Sequence, residues 1–136
     1  LFMNSESEFE RLKMVMDNHA YTEAELKRMG DTREWMDQVT EDKKLELERM
    51  RETADEGGQF LYIENSEHLN FTDVQFISSI FKILGITGKV APERANSVIN
   101  AYMLDFFDMY LKNQGGTLMK GPDRRFPEVK FATSLL

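Results

Sequence analysis

The chain opens with three apolar residues, Leu1, Phe2 and Met3, that give way to Asn4, Ser5 and Glu6, a pattern that predicts a short buried strand ending in a polar turn. Helical spacing follows. The Ser7 hydroxyl can cap a first turn while Glu10 reaches back, and Phe9, Leu12, Val15 and Met16 then share one face. Thr22 and Glu25 repeat the capping pattern ahead of Leu26 and Met29, with Gly30 as the stop. A further helical segment carries Trp35, Met36 and Val39. From Glu41 to Glu56 charge of both signs is dense, and Leu45, Leu47, Met50 and Ala54 form only a thin apolar stripe, which predicts a largely solvated helix.

Gly57 and Gly58 break that helix, and the stretch "QFLYIE" places Phe60, Leu61, Tyr62 and Ile63 in one continuous apolar run. A continuous run suits a parallel strand covered on both faces, where an alternating one suits a sheet wetted on one side. Two parallel strands joined by a helical crossover make an α/β arrangement. Beyond it, Thr72 or Asp73 can cap a helix carrying Val74, Ile77, Ile80, Phe81 and Leu84, closed by Gly85 and Gly88. Pro92 suits the first turn of a long helix. Val98, Ile99, Tyr102, Met103, Phe106, Phe107, Tyr110 and Leu111 give that helix a broad apolar face, expected to dock on the sheet as core, with an end at Gly115 and Gly116. The tail "RRFPEVKF" reads as an extended segment. Two parallel strands cannot bury their own faces and edges, so the expectation is one portion of a larger sheet, with a helical insertion at about 21–56.

Composition narrows the chemistry. At 136 residues, with 41% hydrophobic residues including ten Phe and nine Met, the chain fits one domain with a core. A formal net charge of −7 and no basic run interleaved with aromatics argue against nucleic acid as a partner. The absence of cysteine excludes disulfides, thiolate metal sites and a cysteine nucleophile, and leaves the compartment open. The most apolar stretch, "FISSIFKILGI", is too short and too interrupted to span a bilayer.

The candidate chemistry centres on His68, which follows the second strand, where functional residues of open α/β sheets collect. Its loop, "HLNFTD", has the pattern H-x-N-F-x-D and resembles the catalytic-histidine loop of the platelet-activating-factor acetylhydrolases. Upstream, "LFMNSE" is similar to that family's strand ending in N-S-E, and "ERLKMVM" to the helix after it. Downstream, the helix with "FFDMYL" is similar to the docking helix of related bacterial α/β-hydrolases. The likeness covers residues 1 to about 18 and 58 to about 112, in order.

The resemblance implies the carboxyl-terminal portion of an α/β-hydrolase. It also implies a serine esterase acting on short acyl groups of phospholipid-like or other small carboxylic esters, with His68 as general base and with no metal or cofactor. The fold sets its nucleophile in a strand, G-x-S-x-G, helix turn, in the chain order Ser, Asp, His. None of Ser5, Ser7, Ser66, Ser78, Ser79, Ser97 and Ser134 has that glycine setting. Nucleophile and acid are therefore expected in a missing amino-terminal portion before Leu1. The 21–56 insertion is longer than the corresponding connection in the family's animal enzymes; it is a candidate cap, dimer contact or peripheral membrane surface, with Trp35 and Met36 the residues of interest, although packing against the parent body is the favoured expectation.

Three other residues are read as structural. His19 lacks partners at metal-ligand spacing and is expected on the surface. Ser66 stands two positions from His68 in a turn and is rejected as a nucleophile. Asp73 suits a helix cap better than a triad acid. Two readings compete with the esterase: a non-catalytic helical protein-interaction module that binds through residues 41–56, and another α/β-hydrolase such as a dienelactone or polyester hydrolase.

Overall fold

In the computed structural model, which describes residues 1–77 and 87–136, the two expected strands pair in parallel: β1 (Phe2–Ser5) and β2 (Phe60–Ile63), in the register Phe2 to Phe60 and Ser5 to Ile63. The extended tail supplies a third strand, β3 (Val129–Phe131), antiparallel to β2, with Val129 opposite Ile63. The expected two-stranded sheet is thus a three-stranded mixed sheet in the order β1-β2-β3. β2 becomes its centre because the carboxyl-terminal segment fills the side that β1 leaves open.

The continuous apolar run of β2 has the cause inferred for it. Leu61 and Ile63 face a cluster with Val98, Tyr102, Leu118, Met119 and Val129, while Phe60 faces another with Phe9, Leu12, Met50 and Ala132. Alternate residues point to opposite faces of a strand, so both sets must be apolar when both faces are covered. The second face is also stacked: Phe2 lies on Phe60 with ring centroids 4.7 Å apart, and Phe9 on Tyr62 at 4.3 Å.

The crossover consists of α1 (Glu6–Met16), α2 (Glu23–Met29) and α3 (Arg33–Asp55). The cap of α1 is Ser5, not Ser7: β1 runs straight into the helix, and the Ser5 hydroxyl accepts from the Glu8 amide at 3.2 Å. At α2 the expected capping box forms, with the Thr22 amide donating to the Glu25 carboxylate at 2.7 Å and the Glu25 amide donating to the Thr22 hydroxyl at 3.3 Å. Gly30 ends this helix at φ 80°, a left-handed conformation in which a Cβ is strained. The segments around Trp35 and around 41–56 form one continuous helix of 23 residues. Nothing between Val39 and Glu41 breaks it, and Lys43 holds it to α1 by pairing with both Glu8 and Glu46. Burial opposes the charge on Lys43, but the two carboxylates raise its pKa above the ordinary value.

A short helix, α4 (Val74–Ile77), starts immediately after Asp73, whose carbonyl accepts from the Phe76 amide. Ile80, Phe81, Leu84 and Gly85, assigned to the same helix from sequence, lie outside the described residues. The long helix is α5 (Pro92–Lys112), with Pro92 in its first turn as expected. Its terminator is Asn113 at φ 52°, ahead of the two glycines. The chain then turns back because Asp105 accepts the amides of Gly116 and Leu118, at 2.9 and 2.8 Å, which directs Leu118 and Met119 into the core.

The apolar face of α5 is only partly core. Val98 and Tyr102 are buried, and Ile99, Phe106 and Met109 pack against them. Phe107, Tyr110 and Leu111, however, are 45%, 56% and 75% exposed. A helix touches a narrow sheet along one stripe, and three short strands are too few to cover a face this broad. Among the described residues no helix is long and apolar enough to cross a membrane.

Arg94 ties α5 to the segment that leads into β3. The Arg94 guanidinium grips Glu128 and the Arg125 carbonyl, one of the Glu128 contacts measuring 3.1 Å. Burial alone would raise the Glu128 pKa, but Arg94 outweighs it and holds the carboxyl below its ordinary value of 4.5. The pair therefore stabilises the fold above that pH and loses its contribution as pH falls below it. By contrast, the buried Tyr102 hydroxyl has no hydrogen-bond partner among the described residues, and burial, followed by Asp123 and Glu128, pushes its pKa up to about 12.

These features generate two predictions. Glu128→Gln should cost about 1 kcal/mol or less at pH 7 in urea unfolding, as expected for a pair whose arginine is 40% exposed. The gap to the unaltered chain should narrow as pH falls below 4.5 and close once the carboxylate is protonated in both states; a gap that does not narrow with falling pH would contradict the assignment. Tyr102→Phe should leave the melting temperature unchanged or raise it, because it removes a buried hydroxyl that has no hydrogen-bond partner among the described residues, a burden on the order of 1 kcal/mol. A clear fall in melting temperature would show that the hydroxyl is bonded in solution.

Candidate active site at the carboxyl ends of the parallel strands

β1 and β2 run the same way, so their carboxyl ends emerge side by side, and the residues leaving each are stitched to the other. The Asn65 amide donates to the Glu6 carboxylate at 2.7 Å, and the Glu6 amide donates to the Ser66 hydroxyl at 3.3 Å. The Ser66 hydroxyl itself donates back to the Ile63 carbonyl at 2.6 Å. Buried and engaged in this way, Ser66 holds the turn together and offers no free oxygen for attack.

The chain next enters a 3-10 turn, His68–Phe71. Exposure along it is uneven: His68 is exposed, whereas Asn70 is 1% exposed and Phe71 packs against the α5 side of the core. His68 is therefore carried outward between two buried anchors, Ser66 and Asn70. The Asn70 side-chain oxygen accepts both the Glu67 and the Gly88 amides at 2.8 Å, and its NH2 group donates to the Gln75 side-chain oxygen at 3.1 Å. Gln75 completes the ring by donating to the Asn70 carbonyl at 3.0 Å. Sequence reading did not single out Asn70 and Gln75, because buried amides leave no periodic signature; the N of H-x-N-F-x-D was the available signal.

The segment after residue 86 closes over this turn. The Val90 amide donates to the Asn65 carbonyl at 3.0 Å, and Gly88 passes so close that a Cβ there would sit 2.1 Å from the same oxygen. Between the elements lies an open cleft of about 460 Å³ lined by Glu6, Asn65, Ser66, Glu67, Thr87, Gly88 and Lys89. His68 stands beside this cleft in sequence but is not among its lining residues.

The remaining sequence candidates fall as follows. His19 is on the surface, 3.5 Å from the Glu25 carboxylate and edge-on to Tyr21, far along the chain from the strand ends. Asp73 is exposed, and the hydroxyl of its neighbour Thr72 donates back to the Leu69 carbonyl. No group of three His, Asp or Glu side chains among the described residues could hold a metal. Ser5 does occupy a strand-to-helix junction, a placement invisible without the glycine signature, but its hydroxyl is committed to capping α1. In the insertion, Trp35 is exposed and Met36 buried, beside a small cavity of about 150 Å³ that also involves Tyr21, Met29 and Val39.

No protein-family model matches the sequence, and no curated protein matches it significantly. Among solved structures, the chain is similar to a ferulic acid esterase from Streptomyces cinnamoneus. The identity is 29% over 54% of this chain, with a TM-score of 0.46. The matched portion is 24% of that esterase, so the chain spans about a quarter of its length.

The tight passage of Gly88 is testable. Gly88→Ala should destabilise the protein by about 1–3 kcal/mol, the usual cost of forcing a methyl group into filled space. The displacement should appear as faster amide exchange at Val90; unchanged stability and exchange would mean that the segment does not close over the turn.

Proposed function

We propose that the chain is part of a serine-type carboxylic ester hydrolase of the α/β-hydrolase fold, in which His68 is the general base. The observation that carries this reading is the position of the H-x-N-F-x-D loop. It follows the carboxyl end of the central strand, beside the end of a parallel neighbour, with Ser66 and Asn70 buried on either side of an exposed His68. In this mechanism His68 removes the proton of a serine hydroxyl as the oxygen attacks the ester carbonyl, then returns it to the departing alcohol. Water repeats the cycle on the acyl-enzyme. The serine and the carboxylate that orients His68 would come from residues outside these 136, in the amino-terminal portion of the same domain.

The platelet-activating-factor acetylhydrolase type, with short acyl chains on phospholipid-like esters, is the finer form of the proposal, supported by the "HLNFTD" and "LFMNSE" stretches. A dienelactone or polyester hydrolase uses the same fold and the same kind of histidine and differs in its pocket. The exposed apolar surface of Phe2 and of α5 suits a larger sheet that would cover it. The non-catalytic interaction module is less well supported, because α3 buries Leu47 and Met50 and, of the large apolar residues in the 41–56 stretch, exposes Leu45 alone.

In the complete protein, His68→Ala should abolish hydrolysis of a short-chain activated ester and leave the fold intact, since the side chain is exposed. Retained turnover would remove His68 from the mechanism. The 136 residues alone should show no activity above background, because loss of the serine of such a triad costs about 10⁶ in turnover; a burst of released alcohol from them would contradict the proposal.

A further inference from the structure

The geometry points to Asn70 as the positioning residue of His68, a role that rests on the ester-hydrolase reading. An exposed imidazole on a loop has nothing of its own to fix its distance from a nucleophile, yet general-base catalysis depends on that distance. Asn70 fixes the backbone on either side of it. Its Oδ1 receives the amide that enters the turn, from Glu67, and an amide from the crossing segment, from Gly88, both at 2.8 Å. Its Nδ2 and its carbonyl engage Gln75, in the helix that leaves the turn. Its own amide donates to the Glu67 carbonyl at 2.9 Å.

One side chain thus clasps the entry, the exit and the overlying segment of the loop without being placed to meet substrate, since it is 1% exposed. The amide orientation follows from the donors: two N–H groups converge on one atom, which must be oxygen, and the NH2 must then face the Gln75 oxygen. No apolar residue of similar size can replace this arrangement, because two partly buried backbone amides would lose their acceptor. Aspartate could still accept both amides and would lose only the donation to Gln75.

The test uses the complete protein with Asn70→Ala, Asn70→Asp and His68→Ala, read by steady-state hydrolysis of a short-chain ester and by amide exchange. Asn70→Ala should lower kcat by about 100-fold, the usual effect of a misplacement near 1 Å, with KM within about twofold. Exchange at Glu67 and Gly88 should accelerate. Asn70→Asp should keep both amides protected and recover most of kcat. Unchanged kcat in Asn70→Ala, or a loss confined to KM, would overturn the positioning role. So would an aspartate variant as slow as alanine while its amides stay protected. If Asn70→Ala fails to fold, the aspartate variant decides by the same readings. Full activity in His68→Ala would remove His68 from the mechanism, and with it the reading on which this role rests, whereas the exchange data report on the clasp independently.

Discussion

The parallel pairing of β1 with β2 is the constraint from which the rest of the arrangement follows. Parallel neighbours cannot be joined by a tight hairpin, so the chain needs a crossover, and here three helices make it. The crossover must lie over one face of the sheet, and α1 and α3 do so through Phe9, Leu12 and Met50. The opposite face is then left for α5. Parallel pairing also brings both carboxyl ends to one side, which is why Glu6, at the exit of β1, can bond to Asn65 and Ser66, at the exit of β2.

At that exit the structure changes from apolar packing to hydrogen bonding. Ser66 and Asn70 are buried polar residues in a region where burial is tolerable only if every strong donor and acceptor is met. They are met by backbone groups at the exits of both strands, in the turn and in the segment at Gly88, and by the Gln75 side chain. Such directional contacts fix a conformation in a way that apolar packing does not. The Tyr102 hydroxyl, buried in the neighbouring core without a partner among the described residues, marks by contrast where apolar packing took priority over bonding.

Apolar groups are exposed both along the edge of the sheet and on its flanking helix. β1 is an edge strand with Phe2 46% exposed, next to a groove of about 480 Å³ formed with Leu45, Arg49 and Met50 of α3. On the other side of the sheet, the last turns of α5 display Phe107, Tyr110 and Leu111. Exposed edges and contiguous apolar patches are features that proteins ordinarily cover.

The sequence by itself determined the local elements. The run Phe60 to Ile63 announced a strand covered on two faces, Thr22 with Glu25 announced a helix start, and Pro92 announced another, because each depends on neighbours within one turn or one strand. His68 was legible as a candidate from its motif and its place after a strand. Only the tertiary structure decided what depends on distant residues: that the tail pairs as β3, that Ser5 displaces Ser7 as the cap, and that half of the apolar face of α5 lies uncovered. The same holds for the clasp around His68. Its bonds join Asn70 to Gly88, and Glu6 to Ser66 across a span of 60 residues, and no periodicity along the chain can encode contacts made after it has folded back on itself.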